Sequence, residues 1–240
     1  MEWTITTFLL ANFILILGSI LQMATGVSMG MIVVPFLAMI SYTLVPVPIV
    51  FASLPFLVMM SYKGRKHIDT KNIFQVSIGM LFGIFVAIYL LKNIHFEYLG
   101  ITFGALILIS VLISLKVKEF KLGRSVNYSG GFLSGLMGSM AAAGGQILAL
   151  LFQNHPLESI KSTLAFLYLI FTIVMLGVFY MFGEFSSEHI FSGFYMMPGF
   201  IAGFFIAPMF TKYLNPKYAK TMVLGMATLG ALILIRKGII

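Results

Sequence analysis

Two clusters of small and hydroxyl-bearing residues interrupt stretches that are otherwise apolar. The first, in "ATGVSMGMIVVPFLAMI" (24–40), contains Thr25, Gly26, Ser28 and Gly30, with Gln22 just ahead of it. The second, in "GGFLSGLMGSMAAAGGQ" (130–146), contains Gly138, Ser139, Gly144, Gly145 and Gln146. A helix that restarts after such a break presents unpaired N–H groups and about half a positive charge at its first turn. Side-chain hydroxyls and amides nearby add further donors, and Asn12 is a more distant one. This chemistry holds a small anion without any charged side chain. The ten substrate-binding candidates are therefore Gln22, Thr25, Gly26, Ser28, Gly30, Gly138, Ser139, Gly144, Gly145 and Gln146.

Other chemistries find little support. With no cysteine in 240 residues, disulfides and thiolate metal sites are excluded. No His, Asp, Glu or Lys lies deep in an apolar run, so an intramembrane enzyme would lack its nucleophile, base or metal ligands. His67, His95, His155 and His189 fall in loops or at helix ends, where solvated imidazoles are usual. No metal or cofactor is expected.

The elements that must position the candidates are set by the solvent. The chain is 60% hydrophobic and 9% charged, with mean hydropathy +1.05, whereas soluble domains carry roughly 25% charged residues. An all-α polytopic membrane protein follows. The formal charge of +8 belongs to the membrane edges, where Lys and Arg cluster between apolar runs, so the lipid bilayer is the expected partner and nucleic acid is not. The start, "MEWTITTFLL", lacks a basic leader, so the first run is expected to be retained. About eight segments of near-spanning length are expected: 4–23 continuing through a break to 41, 46–62, 72–92, 97–116, a broken run 126–153, 159–182, 189–211 and 217–236. Pro55, Pro198 and Pro208 lie within runs and should bend them. Aromatic residues near the run ends read as interfacial belts.

The sequence also repeats itself. A shift of 110 places Pro46, Leu54, Phe56 and Leu57 on identical residues at 156, 164, 166 and 167, with Ser53 on Thr163. A shift of 120 places Gly79, Gly83, Phe85, Ala87, Lys92 and Tyr98 on identical residues from Gly199 to Tyr218. Two homologous halves are expected, 1–120 and 121–240, the organisation typical of secondary transporters.

Loop charges select their relative orientation. If every run crossed once, the halves would be parallel and the Lys and Arg residues would divide ten against five. If each broken segment enters and returns to its starting side, the halves are inverted. The division is then twelve inside (63–71, 116–124, 161, 212–220) against three outside. The positive-inside rule favours inverted repeats with broken or re-entrant helices at 4–41 and 126–153. By length, 126–153 is expected to divide into two arms of about a dozen residues, each too short to span. Inversion would bring the two helix starts together near the midplane.

The residues resemble the sulfite exporter TauE/SafE family, also called the toluene-sulfonate uptake permease family. The resemblance rests on "GVSMGMIVVP" (26–35), "GGFLSGLMGSMAAAGGQ", the "SYKGRKHID" loop (61–69) and "MMPGFIAGFFIAP" (196–208), in order over essentially the whole chain. It implies a multi-pass permease of the prokaryotic plasma (inner) membrane for sulfite or organosulfonates, with the glycine motifs near the transport path, and duplication with inversion favours alternating access over a fixed pore. Ser28 and Met29 stand where that family usually carries further glycines. A passive anion channel, or a carrier of another small anion such as a carboxylate, is the alternative.

Because the chain lacks cysteine, single cysteines introduced at Lys66, Ser187 and Lys217 test the topology directly. An impermeant thiol reagent applied to intact cells should label position 187 alone. Labelling at 217 with protection at 187 would restore parallel halves.

Overall fold

The computed structural model describes residues 3–70, 72–116 and 123–239, without the side chains of 216 and 217. The boundary expected at 120/121, and the charges of Lys71, Lys118, Glu119 and Lys121, lie outside the described residues. Ten α-helices follow one another with no strand among the described residues: α1 (Ile5–Thr25), α2 (Gly30–Ile40), α3 (Val47–Gly64), α4 (Ile73–Asn93), α5 (Leu99–Lys116), α6 (Arg124–Ala141), α7 (Gly145–Leu151), α8 (Leu157–Met181), α9 (Ser187–Thr211) and α10 (Pro216–Ile239). Single 3-10 turns occupy Tyr42–Leu44, Arg65–His67 and Phe96–Tyr98. Among the described residues, seven helices are long and apolar enough to cross a membrane. The chain is an all-α polytopic membrane protein.

Helix directions follow from which residues meet. α1 and α9 run side by side in the same sense, with Asn12 against Gly199 and Ser19 against Gly203. α4 and α6 do the same, with Val76 against Gly131 and Met80 against Gly135. α3 also runs with α9, since Phe51 meets Gly193 and Phe56 meets Phe200. It opposes α8, its end at Gly64 resting on Ser162 near the start of that helix. α5 opposes α10, with Gly100 at Leu234 and Gly104 at Ala231. Short loops make consecutive long helices antiparallel. Hence α1, α3, α5 and α9 point one way and α4, α6, α8 and α10 the other.

Each long helix of residues 5–116 therefore opposes the helix at the same place in 124–239. Because α1 and α3 are parallel, the chain returns to its starting face between them, by way of α2. The ends of α3, α5 and α9 share one face with the starts of α4, α6, α8 and α10. Among the described residues that face carries Lys63, Arg65, Lys66, Lys116, Arg124, Lys161, Lys212 and Lys220.

The arms of the broken segments differ from the lengths read in the sequence. α6 has 18 residues and α7 only 7, so the first arm is about 27 Å long and the second about 10 Å at helical rise. The glycine-rich "GGFLSGLMG" stays helical because α4 packs its backbone directly on Gly131 and Gly135. Close backbone approach there outweighs the low helix propensity of glycine.

One polar contact ties α1 to α9. The buried Asn12 side chain donates from Nδ2 to the Tyr195 carbonyl at 2.9 Å and accepts from the Gly199 N–H. In an unbroken helix that donor and that acceptor, four residues apart, pair with each other. Pro198 stands between them and has no N–H of its own, and the Asn12 amide bonds to the groups on either side of it. Replacing Asn12 by Leu should lower stability by about 1–3 kcal/mol, the penalty of leaving buried polar groups unpaired. The apparent melting temperature in detergent reads this directly, and an unchanged value would refute it.

Candidate functional site

The two breaks meet each other. Any side chain at Gly30 would run into Ala142, and any side chain at Gly145 would run into Ser28 and the Tyr168 hydroxyl. The breaks are built alike. α1 ends on Gly26 at φ 76° and α6 on Ala142 at φ 49°, both left-handed. The helix restarts with Gly30 and with Gly145, as the sequence suggested.

Around this meeting point lies a cavity of about 110 Å³, roughly ten times what a single water needs. The breaks contribute Ser28, Met29, Gly30, Ala142, Gly144 and Gly145. Gln22 on α1, Ser134, Gly138 and Ser139 on α6, Ser53 on α3, and Tyr168 and Thr172 on α8 add polar groups. Met80, Ile84, Phe171 and Met175 form an apolar wall. Among the described residues that line it there is no Lys, Arg, His, Asp or Glu.

Seven of the ten sequence-derived candidates therefore converge on one cavity. The other three lie outside its lining. Thr25 turns its hydroxyl to the break itself, donating to the Leu21 carbonyl at 2.8 Å and accepting from Val27 N–H at 3.2 Å. Gly26 packs against the stem of Lys161. Gln146 is 1% exposed, and its Nε2 has no hydrogen-bond partner.

The backbone groups freed by the breaks are handled unequally. In the first, Gln22 Oε1 accepts from Met29 N–H at 3.1 Å and Ser28 Oγ from Gly30 N–H at 3.3 Å. In the second, serine hydroxyls satisfy the carbonyls. Ser110 donates to Ala143 and Ser134 to Gly144, each at 2.9 Å, and Ser28 donates to Ala142 at 3.4 Å. The N–H groups of Met31, Gly145 and Gln146 have no acceptor among the described residues. Ser139 Oγ likewise has none. The site thus presents several unpaired donors, with a short α7 that offers directed N–H groups more than a long dipole.

Sequence reasoning missed Ser53, Ser134, Tyr168 and Thr172. Ser134 lies four residues before Gly138 and so shares its helical face, a spacing that could have found it. Tyr168 reads in sequence as one more interfacial aromatic, and only its 3.4 Å contact with the Gly145 carbonyl sets it apart.

A second, separate cavity of about 270 Å³ lies on the basic face, where α3 ends and α8 begins. No described residue lines both. The central cavity takes Ile49 to Leu57 from α3 and Tyr168 to Met175 from α8, so it extends toward the opposite, sparsely charged face.

The glycines separate packing from space. At Gly138 an added methyl group meets nothing nearer than 3.8 Å, so Gly138→Ala should hold or raise stability by up to about 1 kcal/mol through helix propensity. Gly30→Ala should lose about 1–3 kcal/mol by forcing the breaks apart. Melting of both variants in detergent decides this, and equal losses would mean that Gly138 is also a packing position.

The comparisons agree with this architecture. The family model described as Sulfite exporter TauE/SafE matches residues 11–234, which spans both breaks and every helix that lines the cavity. No curated protein and no solved structure matches the chain. By a match that runs through nearly all of its length, this multi-pass membrane protein belongs to the sulfite exporter TauE/SafE family of transport proteins.

Proposed function

We propose that the protein is a permease for small sulfur-containing oxyanions, sulfite or a short organosulfonate, in the plasma membrane of a prokaryote. The halves 1–120 and 121–240 act in this reading as inverted repeats that expose the central cavity to one face and then the other. The observation that carries it is the meeting of two helix breaks around a cavity lined by hydroxyls, amides and unpaired N–H groups, with no charged side chain.

Such a lining suits an anion that must leave again. An oxyanion that sheds its water needs replacement donors, or its desolvation is prohibitive. Backbone N–H groups together with Ser28, Ser139 and Gln22 offer them in several directions. A buried Lys or Arg would bind more tightly but oppose release, and conduction requires binding weak enough to end. The apolar wall of Met80, Ile84, Phe171 and Met175 fits an organic substituent on a sulfonate.

A passive channel is the competing reading. The absence of any residue shared by the two cavities supports a carrier, because a pore needs a continuous passage.

A thermal-shift panel of sulfite, sulfate, thiosulfate, sulfonates, carboxylates and chloride on purified protein tests the substrate class. A cognate oxyanion at a hundredfold excess over its Kd should add about 2.7 kcal/mol of apparent stability. In Gly138→Ala, which places a methyl group in the cavity, this protection should fall while the unliganded protein melts as before. Stabilisation by amines with none by any oxyanion would overturn the reading, and preference for carboxylates would move the substrate class. Saturable counterflow in proteoliposomes should distinguish the carrier from a pore.

A further inference from the structure

We propose that the second cavity is an anion antechamber, in which Lys161 collects oxyanions before they pass the first break. The inference rests on the reading of the protein as an oxyanion carrier. The cavity is lined by Lys63, His67, Glu158, Lys161, Ser162 and Thr211, together with the apolar Met23 and Met60. It lies on the face that carries most of the Lys and Arg, and α8, 25 residues long, begins at its wall with its positive end there.

Lys161 differs from an ordinary surface lysine in three ways. Its side chain is only 18% exposed. Its stem lies against Gly26, with Cγ 3.0 Å from where a Cβ would stand, so the charge is anchored to the turn that ends α1. Among the described residues its one charged partner is Glu158, three residues back, at 3.4 Å, and the Glu158 side chain is 71% exposed. A pair whose carboxylate is this open to water holds weakly, so an arriving oxyanion can compete for Lys161 while Glu158 turns to water.

The remaining groups complete an anion mouth. Lys63 lies on the same wall with its ammonium over the Phe204 ring at 5.7 Å, and Ser162 and Thr211 add hydroxyls. The nearby carboxylate of Asp69 is engaged with His155 at 2.9 Å. A positively lined recess with low-dielectric walls raises the local concentration of anions, which a charge-free central site cannot do for itself. Collection and transient binding are thereby divided between two cavities.

The chain has no cysteine, so Thr211→Cys places a single thiol in the recess without touching the central site. Its reaction rates with an anionic, sulfonate-bearing methanethiosulfonate and with a cationic, trimethylammonium-bearing one report the local potential. Relative to a free thiol, the anionic reagent should be favoured. Lys161→Gln should reduce that preference about tenfold at low salt, with the difference shrinking at high salt. Glu158→Gln should increase it, Lys161→Arg should retain it, and methanesulfonate should slow the anionic reagent in the parent but not in Lys161→Gln. No charge preference, or a preference indifferent to Lys161, would overturn the antechamber. The labelling requires no transport, so a protein that fails to carry sulfite would sink the proposed substrate and leave this test to stand on its own result.

Discussion

A broken helix inside a membrane must find hydrogen-bond partners for its freed backbone groups, because the lipid supplies none. In this protein the breaks at 26–29 and 142–144 supply one another and are supplied by their neighbours. Ser28 of the first break bonds Ala142 of the second, while Ser110 from α5 and Ser134 from α6 hold the next two carbonyls. With those three carbonyls occupied, the N–H groups of Met31, Gly145 and Gln146 remain without an acceptor among the described residues. These donors arise from backbone accounting, and no formal cation is among the residues that line the cavity.

Holding the breaks in contact places strict demands on the surrounding helices. Gly79 and Gly83 on α4 receive the backbone of α6, as Gly199 and Gly203 on α9 receive α1. Since lipid tails are as apolar as leucine, association of such helices depends on close backbone contact and interhelical hydrogen bonds. Asn12 adds the latter at the kink of α9. Through these pairs α1 and α6 are carried by α9 and α4, so each break is tied to a long helix of the opposite half. Ala142 is a further sign of the constraint. A residue with a side chain in the left-handed region costs about 1–2 kcal/mol, and here its methyl group abuts Gly30.

Electrostatics divides the molecule along its axis. The face at the ends of α3, α5 and α9 is rich in Lys and Arg, and the opposite face, with Glu184 and Glu188, is not. The interior between them holds the central cavity with no formal charge. Fixed charges at the edge and dipoles at the centre is the arrangement expected where a formal charge in the bilayer interior is costly.

The sequence by itself determined the membrane class, the order of the apolar runs, the places of both breaks and, through loop charge, the opposed directions of the long helices in 5–116 and 124–239. Each is legible because the cause is local: hydropathy follows from solvent, a break from Gly and Ser in an apolar run, and sidedness from Lys and Arg at the edges. Seven of the ten candidate residues converge for the same reason, since both breaks were visible as composition. Tertiary structure decided the rest. Thr25 and Gly26 serve the turn itself because Val27 and Lys161 come to lie against them. The length of α6 was set by α4, which makes a helix of a glycine-rich stretch by packing on its bare backbone. Tyr168 and Thr172 enter the site because α8 passes beside the breaks, and no spacing within α8 records that. Which donors stay unpaired is likewise a tertiary fact, because the serines that occupy the carbonyls come from three separate parts of the chain.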